Sequence, residues 1–269
     1  MSFKDTLRQL VEGTPLEAPA RAAWRAIKGA DPTAAPPPPP AEAESLNALY
    51  DAQTEAILAR VLERGSNCVD VGCHHGVIMD AMLRFAPEGT HFGFEPLPDL
   101  FAGLRAKYAA VPQVKLFELA LSEAPGTSTF QHVVTNPGYS GLLRRRYDRP
   151  HEDVVQISVN LARLDDVLPP GAMIRLIKVD VEGAELGVFR GGIETIRRCR
   201  PFIVFEHGLG AADFYGTRPE QVWDLLSGCG LKLALMKDWL ESGGARTLAR
   251  EAFAHEFDSG SNYYFLAHP

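Results

Sequence analysis

Short apolar runs alternate with longer amphipathic ones along most of this chain, and the two kinds of segment have different periods. ESLNALYDAQTEAILARVLERG places Leu46, Leu49, Ile57, Leu58, Val61 and Leu62 at helical spacing. NCVDVG then reads as an apolar strand ending in a glycine turn, GVIMDAMLRFA as a helix and THFGFEP as a second strand. LPDLFAGLRAKYAA and VKLFELA repeat the pair. Strands this short and this apolar are buried on both faces, and a strand–helix–strand rhythm gives parallel pairing. The pattern therefore predicts an α/β fold, a doubly wound and mainly parallel sheet with helices on both sides.

The rhythm breaks at TSTFQHVV and VVQISVN, which alternate like exposed or antiparallel strands around the polar segment TNPGYSGLLRRRYDRPHED. It returns with MIRLIKVDVEG, a helix over AELGVFRGGIETIRRC, the strand PFIVFEHG, the helix RPEQVWDLLSGCG and the strand LKLALM. YYFLAH closes the chain as a last apolar strand. Ahead of this pattern, FKDTLRQLVEG and APARAAWRAIKG read as two short helices that meet the proline run Pro36 to Pro40, a stiff extended spacer. The expected division is a helical arm and spacer over 1–40 and one domain over 41–269.

Composition narrows the function classes. With 269 residues, 46% hydrophobic and 23% charged, the chain can fill one large α/β core. No apolar run approaches the ~20 residues of a membrane span, and MSFKDTLRQLVEG lacks the apolar centre of a secretory signal, so a cytoplasmic protein is expected. The net charge of -7 speaks against a nucleic-acid partner. The arm is locally basic (Lys4, Arg8, Arg21, Arg25, Lys28), which allows weak peripheral contact with the inner face of a membrane beside the plainer reading of a simple extension. Cys68, Cys73, Cys199 and Cys229 match no metal module and read as reduced, small core residues.

The candidate chemistry starts at Val69-Asp70-Val71-Gly72-Cys73-His74-His75-Gly76. Ligands of open α/β sheets bind outside the carboxyl ends of the strands. Gly72 and Gly76 let the backbone turn and approach a ligand, and the helix after Gly76 offers free N–H groups to a carboxylate. Only two glycines, four apart, stand where a dinucleotide loop needs three, and Asp70 would repel a pyrophosphate but suits a cationic ammonium. Glu95, 23 residues after Gly72 (95 minus 72), ends the next strand near the ~20-residue offset of a ribose-binding acid. Glu118 ends the third strand and is read toward an adenine edge.

These stretches, with ELALSEAPGTSTF and LIKVDVEGAELGVFRGG, resemble the FkbM family of class I methyltransferases over roughly Gly65 to Gly208. The resemblance implies a Rossmann-like, seven-stranded sheet whose last strand is antiparallel, with S-adenosyl-L-methionine as methyl donor. It implies O-methylation of a hydroxyl, on a sugar of a glycan or glycolipid or on a glycosylated natural product, so a small-molecule or glycan acceptor is expected. Asp70, Gly72, Gly76 and Glu95 fall on the family's donor-binding positions. His74 and Glu118 depart from the family pattern and are placed with the same group.

On the acceptor side, Asp180 is expected to face the cleft near the methyl group, while Glu182 stands either toward the acceptor or on the first turn of the following helix. Glu206 and His207 follow the next strand, and the base that removes the acceptor's proton is sought in His207 or Asp180. Nothing in the spacing of Asp180, Glu182, Glu206 and His207 demands a divalent metal, and none is expected. In GYSGLLRRRYDR, Tyr139 is read as stacking on a sugar, Ser140 as bonding it and the arginines as meeting an anionic substituent. A non-catalytic binding protein on the same fold and an NAD-dependent oxidoreductase stand as the alternatives.

Overall fold

The computed structural model describes residues 41–147 and 151–269; the two short helices and the spacer read in residues 1–40 lie outside them. The chain opens with α1 (Ala41–Val61), β1 (Cys68–Val71), α2 (Val77–Phe85), β2 (His91–Phe94), α3 (Pro98–Lys107) and β3 (Val114–Phe117). All four residues of β1 and of β2 are buried, as strands covered on both faces must be. The second half brings β7 (Leu176–Val179), α5 (Glu185–Gly191), α6 (Ile193–Cys199), β8 (Phe202–Glu206), α7 (Pro219–Gly228), β9 (Lys232–Leu235) and β10 (Tyr264–His268).

These strands form a seven-stranded sheet in the order β3-β2-β1-β7-β8-β10-β9. It is parallel from β3 to β8, and β10 lies antiparallel between β8 and β9. This is the doubly wound class I arrangement that the sequence implied. Strand order reverses between β1 and β7, so the loops after these two strands form the switch-point crevice.

Each face of the sheet carries its own core. Met79, Met82 and Leu104 of α2 and α3 pack on Cys68, Leu176 and Val204, together with Ile57 and Leu58 of α1. Leu186, Val188, Phe189, Ile196, Val222 and Leu226 of α5–α7 cover Val69, Ile177 and Ile203 on the other face.

Between β3 and β7 the regular winding gives way to a three-stranded sheet. In it β6 (Val154–Ala162) pairs antiparallel with β5 (Gly126–Val133) and parallel with β4 (Ala120–Leu121). The run VKLFELA therefore serves two sheets, and only its first half continues the main one. A short α4 (Leu164–Val167) leads back into β7.

The single helix read over AELGVFRGGIETIRRC is two, broken at Gly192. A side chain at Gly192 would press a Cβ to 2.9 Å from Leu164 Cδ2. Two further helices, α8 (Met236–Ser242) and α9 (Arg250–Ser259), stand in the stretch before β10 that the periodicity left unassigned. Among the described residues no helix is long and apolar enough to cross a membrane, and the four cysteines are free.

Candidate active site

A cavity of about 280 Å³ opens at the carboxyl ends of β1, β2 and β7. The loop after β1 forms its floor. Gly72 has φ 82 and a Cβ there would lie 2.0 Å from the carbonyl oxygen of Asp180, so no other residue fits between the β1 and β7 loops. Gly76, at φ 77, caps α2, where a Cβ would meet the Tyr108 hydroxyl at 2.6 Å. His74 adopts φ 49, uncommon for a residue with a side chain. Its imidazole lines the cavity with Nε2 buried and without a hydrogen-bond partner, and burial pushes its pKa down.

Glu95 shapes the same loop from β2. Its carboxylate accepts the His74 N–H at 2.9 Å and the Leu97 N–H at 3.0 Å while lining the cavity. Burial raises its pKa, and the two N–H bonds oppose that. Asp70 does not reach the lining. It is fully buried beneath the loop, neither carboxylate oxygen has a hydrogen-bond partner, and burial pushes its pKa up to about 6 against the pull of Lys178. Glu118 is exposed and outside the lining; Leu119 and Ala120 border the cavity instead.

The opposite wall of the cavity is built on β7. The strand ends at Val179, and Glu182 turns left-handed with φ 58. The chain is no longer extended there, so Asp180 and Glu182 both line the cavity. The first turn of α5 belongs to Glu185, whose Oε1 accepts the Gly183 N–H at 2.9 Å. Burial raises the Glu185 pKa to about 7.

Asp180 is the most heavily bonded acid of the site. Lys178 Nζ donates to its Oδ2 at 3.0 Å and the Tyr264 hydroxyl at 2.5 Å, and Glu206 bonds it as well. Burial alone would raise its pKa, but Lys178 and these bonds bring it down to about 2. Glu206 is pushed the other way, first by burial and then by the Asp180 charge. The pair shares one proton, with Asp180 anionic and Glu206 its donor.

Asp180, Glu182 and Glu206 each offer an oxygen within 4.8 Å of the others, a set that could hold a metal ion. Lys178 and Arg145 already compensate this charge, the latter in an ion pair with Glu182.

His207 does not join this group. Side chains alternate along a strand, so the residue after Glu206 points to the opposite face. There its ring is 0% exposed, stacked on Phe257 at 4.7 Å and Phe253 at 6.0 Å, with neither nitrogen bonded. Burial lowers its pKa to about 3.

The β5–β6 loop closes the far side. Ser140 lines the cavity, but its Oγ is engaged by the Val133 N–H at 3.0 Å. Tyr139 stands outside the lining, beneath the Arg145 guanidinium at 4.7 Å and stacked on Tyr147. Lys178 and Tyr264 are the site residues that the sequence reading passed over, while Arg145, one of the arginines read toward an anionic substituent, pairs with Glu182. Lys178 carried a signal, a lone lysine two residues before Asp180 in an apolar strand, whereas Tyr264 reaches the site only through strand order.

With this geometry in view, the comparisons with known proteins are direct. The model of the methyltransferase FkbM domain matches residues 70–233, more than half of the chain. The chain belongs to the FkbM methyltransferase family. Family membership implies a methyl donor and removes the ground for the nicotinamide alternative.

The 2-O-methyltransferase NoeI of Sinorhizobium fredii is 33% identical over 158 residues, covering 52% of this chain and 62% of NoeI. Methyltransferase sdnD of Sordaria araneosa is 32% identical over 152 residues, 46% of this chain and 59% of its own length. The chain thus spans about three fifths of either relative. Among solved structures, methyltransferase FkbM from Methylobacillus flagellatus KT aligns with a TM-score of 0.48 at 11% identity, over 77% of this chain and 44% of that one.

Proposed function

We propose that this protein is an S-adenosyl-L-methionine-dependent O-methyltransferase that acts on a hydroxyl, of a sugar in a glycan, a glycolipid or a glycosylated natural product. The observation that carries the reading is Asp180, held anionic at the cavity wall next to the glycine-lined donor loop. The sugar rests on family resemblance and on the printed name of NoeI.

The residues fit a cationic nucleoside donor. The unpartnered His74 Nε2 at the cavity wall is a buried polar atom of the kind a ligand satisfies, and the Gly72 turn lets the loop after β1 close against the Asp180 carbonyl as the floor of the cavity. S-adenosyl-L-methionine, when bound, supplies an electrophilic methyl group on a sulfonium. Glu95 uses one lone pair of each oxygen on the loop and keeps others for ribose hydroxyls. The N-terminus of α2 suits the donor's carboxylate, and the Asp70 charge, buried beneath the loop and out of contact, favours the ammonium through space.

Asp180 accepts a hydrogen bond from the acceptor hydroxyl and aims its oxygen at the methyl carbon. The hydroxyl proton becomes strongly acidic as the new C–O bond forms, so a carboxylate of low pKa still receives it. Lys178, Tyr264 and Glu206 keep Asp180 charged and oriented until then.

Calorimetric titration with S-adenosyl-L-methionine and S-adenosylhomocysteine tests the donor site, followed by transfer of labelled methyl to sugar acceptors. Saturable binding is expected, weakening as pH falls through about 6, where Asp70 takes up its proton. Asp70→Asn and Glu95→Gln should bind weakly, and the first should lose the pH dependence. A folded wild type that binds neither nucleoside would overturn the reading and favour a binding protein on an enzyme's fold.

A further inference from the structure

The two loops that frame the open side of the site leave a rim that is both apolar and basic. After β8, the buried Ala211 and Ala212 press against Gly183, where a Cβ would lie 2.6 Å from the Ala211 carbonyl oxygen. Gly210 N–H donates to Asp213 Oδ1 at 2.6 Å within the same turn. This anchoring turns Leu209 (40% exposed) and Phe214 (49% exposed) outward.

The β5–β6 loop contributes Leu143, 45% exposed, whose N–H donates to the Tyr215 hydroxyl at 2.9 Å. Arg146 N–H donates to the Gly210 carbonyl at 2.9 Å. The three apolar side chains therefore stand on loops stitched to each other, with Arg144 and Arg146 exposed beside them against one exposed acid, Asp213, whose Oδ1 is held by the Gly210 N–H. Single exposed apolar residues need no explanation, but three held outward on two loops joined by hydrogen bonds mark a contact surface.

We propose that this rim rests on an anionic lipid bilayer, with Leu143, Leu209 and Phe214 entering the interface and Arg144 and Arg146 meeting lipid phosphates. Charge complementarity selects that occupant. The chain carries -7 overall and would be repelled by an anionic surface, so a basic and apolar rim is the local exception that would orient it. The rim also borders the entrance to the chemistry, because the same loops supply Leu142 to the cavity wall and Arg145 to Glu182. A cavity of about 280 Å³ is at the small end for a small-molecule site, and a donor would fill it. The acceptor hydroxyl then arrives across the rim, presented at the membrane surface. That last consequence rests on the methyl-transfer reading; the docking does not.

Co-sedimentation of the full chain with phosphatidylglycerol vesicles, and with phosphatidylcholine vesicles as the neutral reference, tests the docking. Binding to the anionic vesicles is expected, falling with salt. Arg144→Gln with Arg146→Gln should weaken it by about thirtyfold. Leu143→Ser with Phe214→Ser should reduce it to the neutral-vesicle level, and both pairs should keep the wild-type far-ultraviolet dichroism and donor affinity. If the serine pair fails to fold, the glutamine pair carries the test alone.

Wild-type sedimentation by both folded variants would move any membrane contact elsewhere, to the basic arm for instance, and overturn the proposal. A wild type that stays in solution with every vesicle would also overturn it and leave the rim to a protein partner. Donor titration on the same samples separates these failures from failure of the methyl-transfer reading.

Discussion

Two neighbouring residues, Glu206 and His207, separate what is built for chemistry from what is built for packing. Both follow the same strand, yet one shares a proton with Asp180 and the other fills an aromatic box on the opposite face. His207 has its pKa lowered from 6.5 to about 3, so the folded state holds fewer protons there than the unfolded chain between these values. Its contribution is complete above the unfolded pKa and is lost as pH falls through that window, by about 2 kcal/mol at pH 5. His207→Leu should flatten this acid-side loss in urea unfolding followed from pH 7 to pH 5, while donor binding stays unchanged. Were donor affinity to collapse in a folded His207→Leu protein, the separation of the two faces would be wrong.

Several helices of the fold are short, and contacts from outside the element hold them in place. The N-terminus of α6 shows this most directly. The cap residue Gly192 has no side chain to offer, and Asp165 of α4 reaches across instead, accepting the Glu194 N–H at 3.0 Å and the Thr195 N–H at 2.9 Å. Loss of such a cap costs about 1 kcal/mol. Asp165→Ala should lower stability by that amount in chemical unfolding, and Asp165→Asn should recover most of it, because its amide oxygen still accepts one of the two bonds. Equal losses in both variants would show that charge, rather than capping geometry, is what Asp165 supplies.

At the scale of the whole molecule, the sheet separates two cores, and the site lies where loops supported by both of them meet. Gly72 and Asp180, pressed together at the switch point, directly follow strands that each pack on both faces. A donor seated there binds only the folded chain and should stabilise all of it. At a hundredfold excess over Kd the gain is about 2.7 kcal/mol, a rise in Tm of roughly 5–10 °C for a chain of this size. Differential scanning calorimetry with S-adenosylhomocysteine measures this directly. Gly72→Ala, with a Cβ set into the Asp180 carbonyl, should melt lower and show no such rise. A folded Gly72→Ala protein with the full donor shift would place the donor elsewhere.

Local pattern was enough to establish the winding of the sheet, the glycine turn after β1 and the position of Glu95. Each of these depends on periodicity or on spacing within one βα unit, and both are written along the chain. The two-stranded alternation of TSTFQHVV and VVQISVN was legible for the same reason. The acceptor side was not legible in this way. Asp180 and Glu182 share a wall only because the backbone turns left-handed at Glu182, and Tyr264 reaches Asp180 only because β10 inserts beside β8. Strand parity sent His207 away from Glu206, and the end of β3 left Glu118 in solvent while Leu119 and Ala120 turned inward. Sequence thus determined the fold and the glycine turn after β1, which short-range order encodes. Tertiary structure decided which acids meet, which of them stays charged and which histidine is only packing, because those outcomes depend on neighbours distant in the chain.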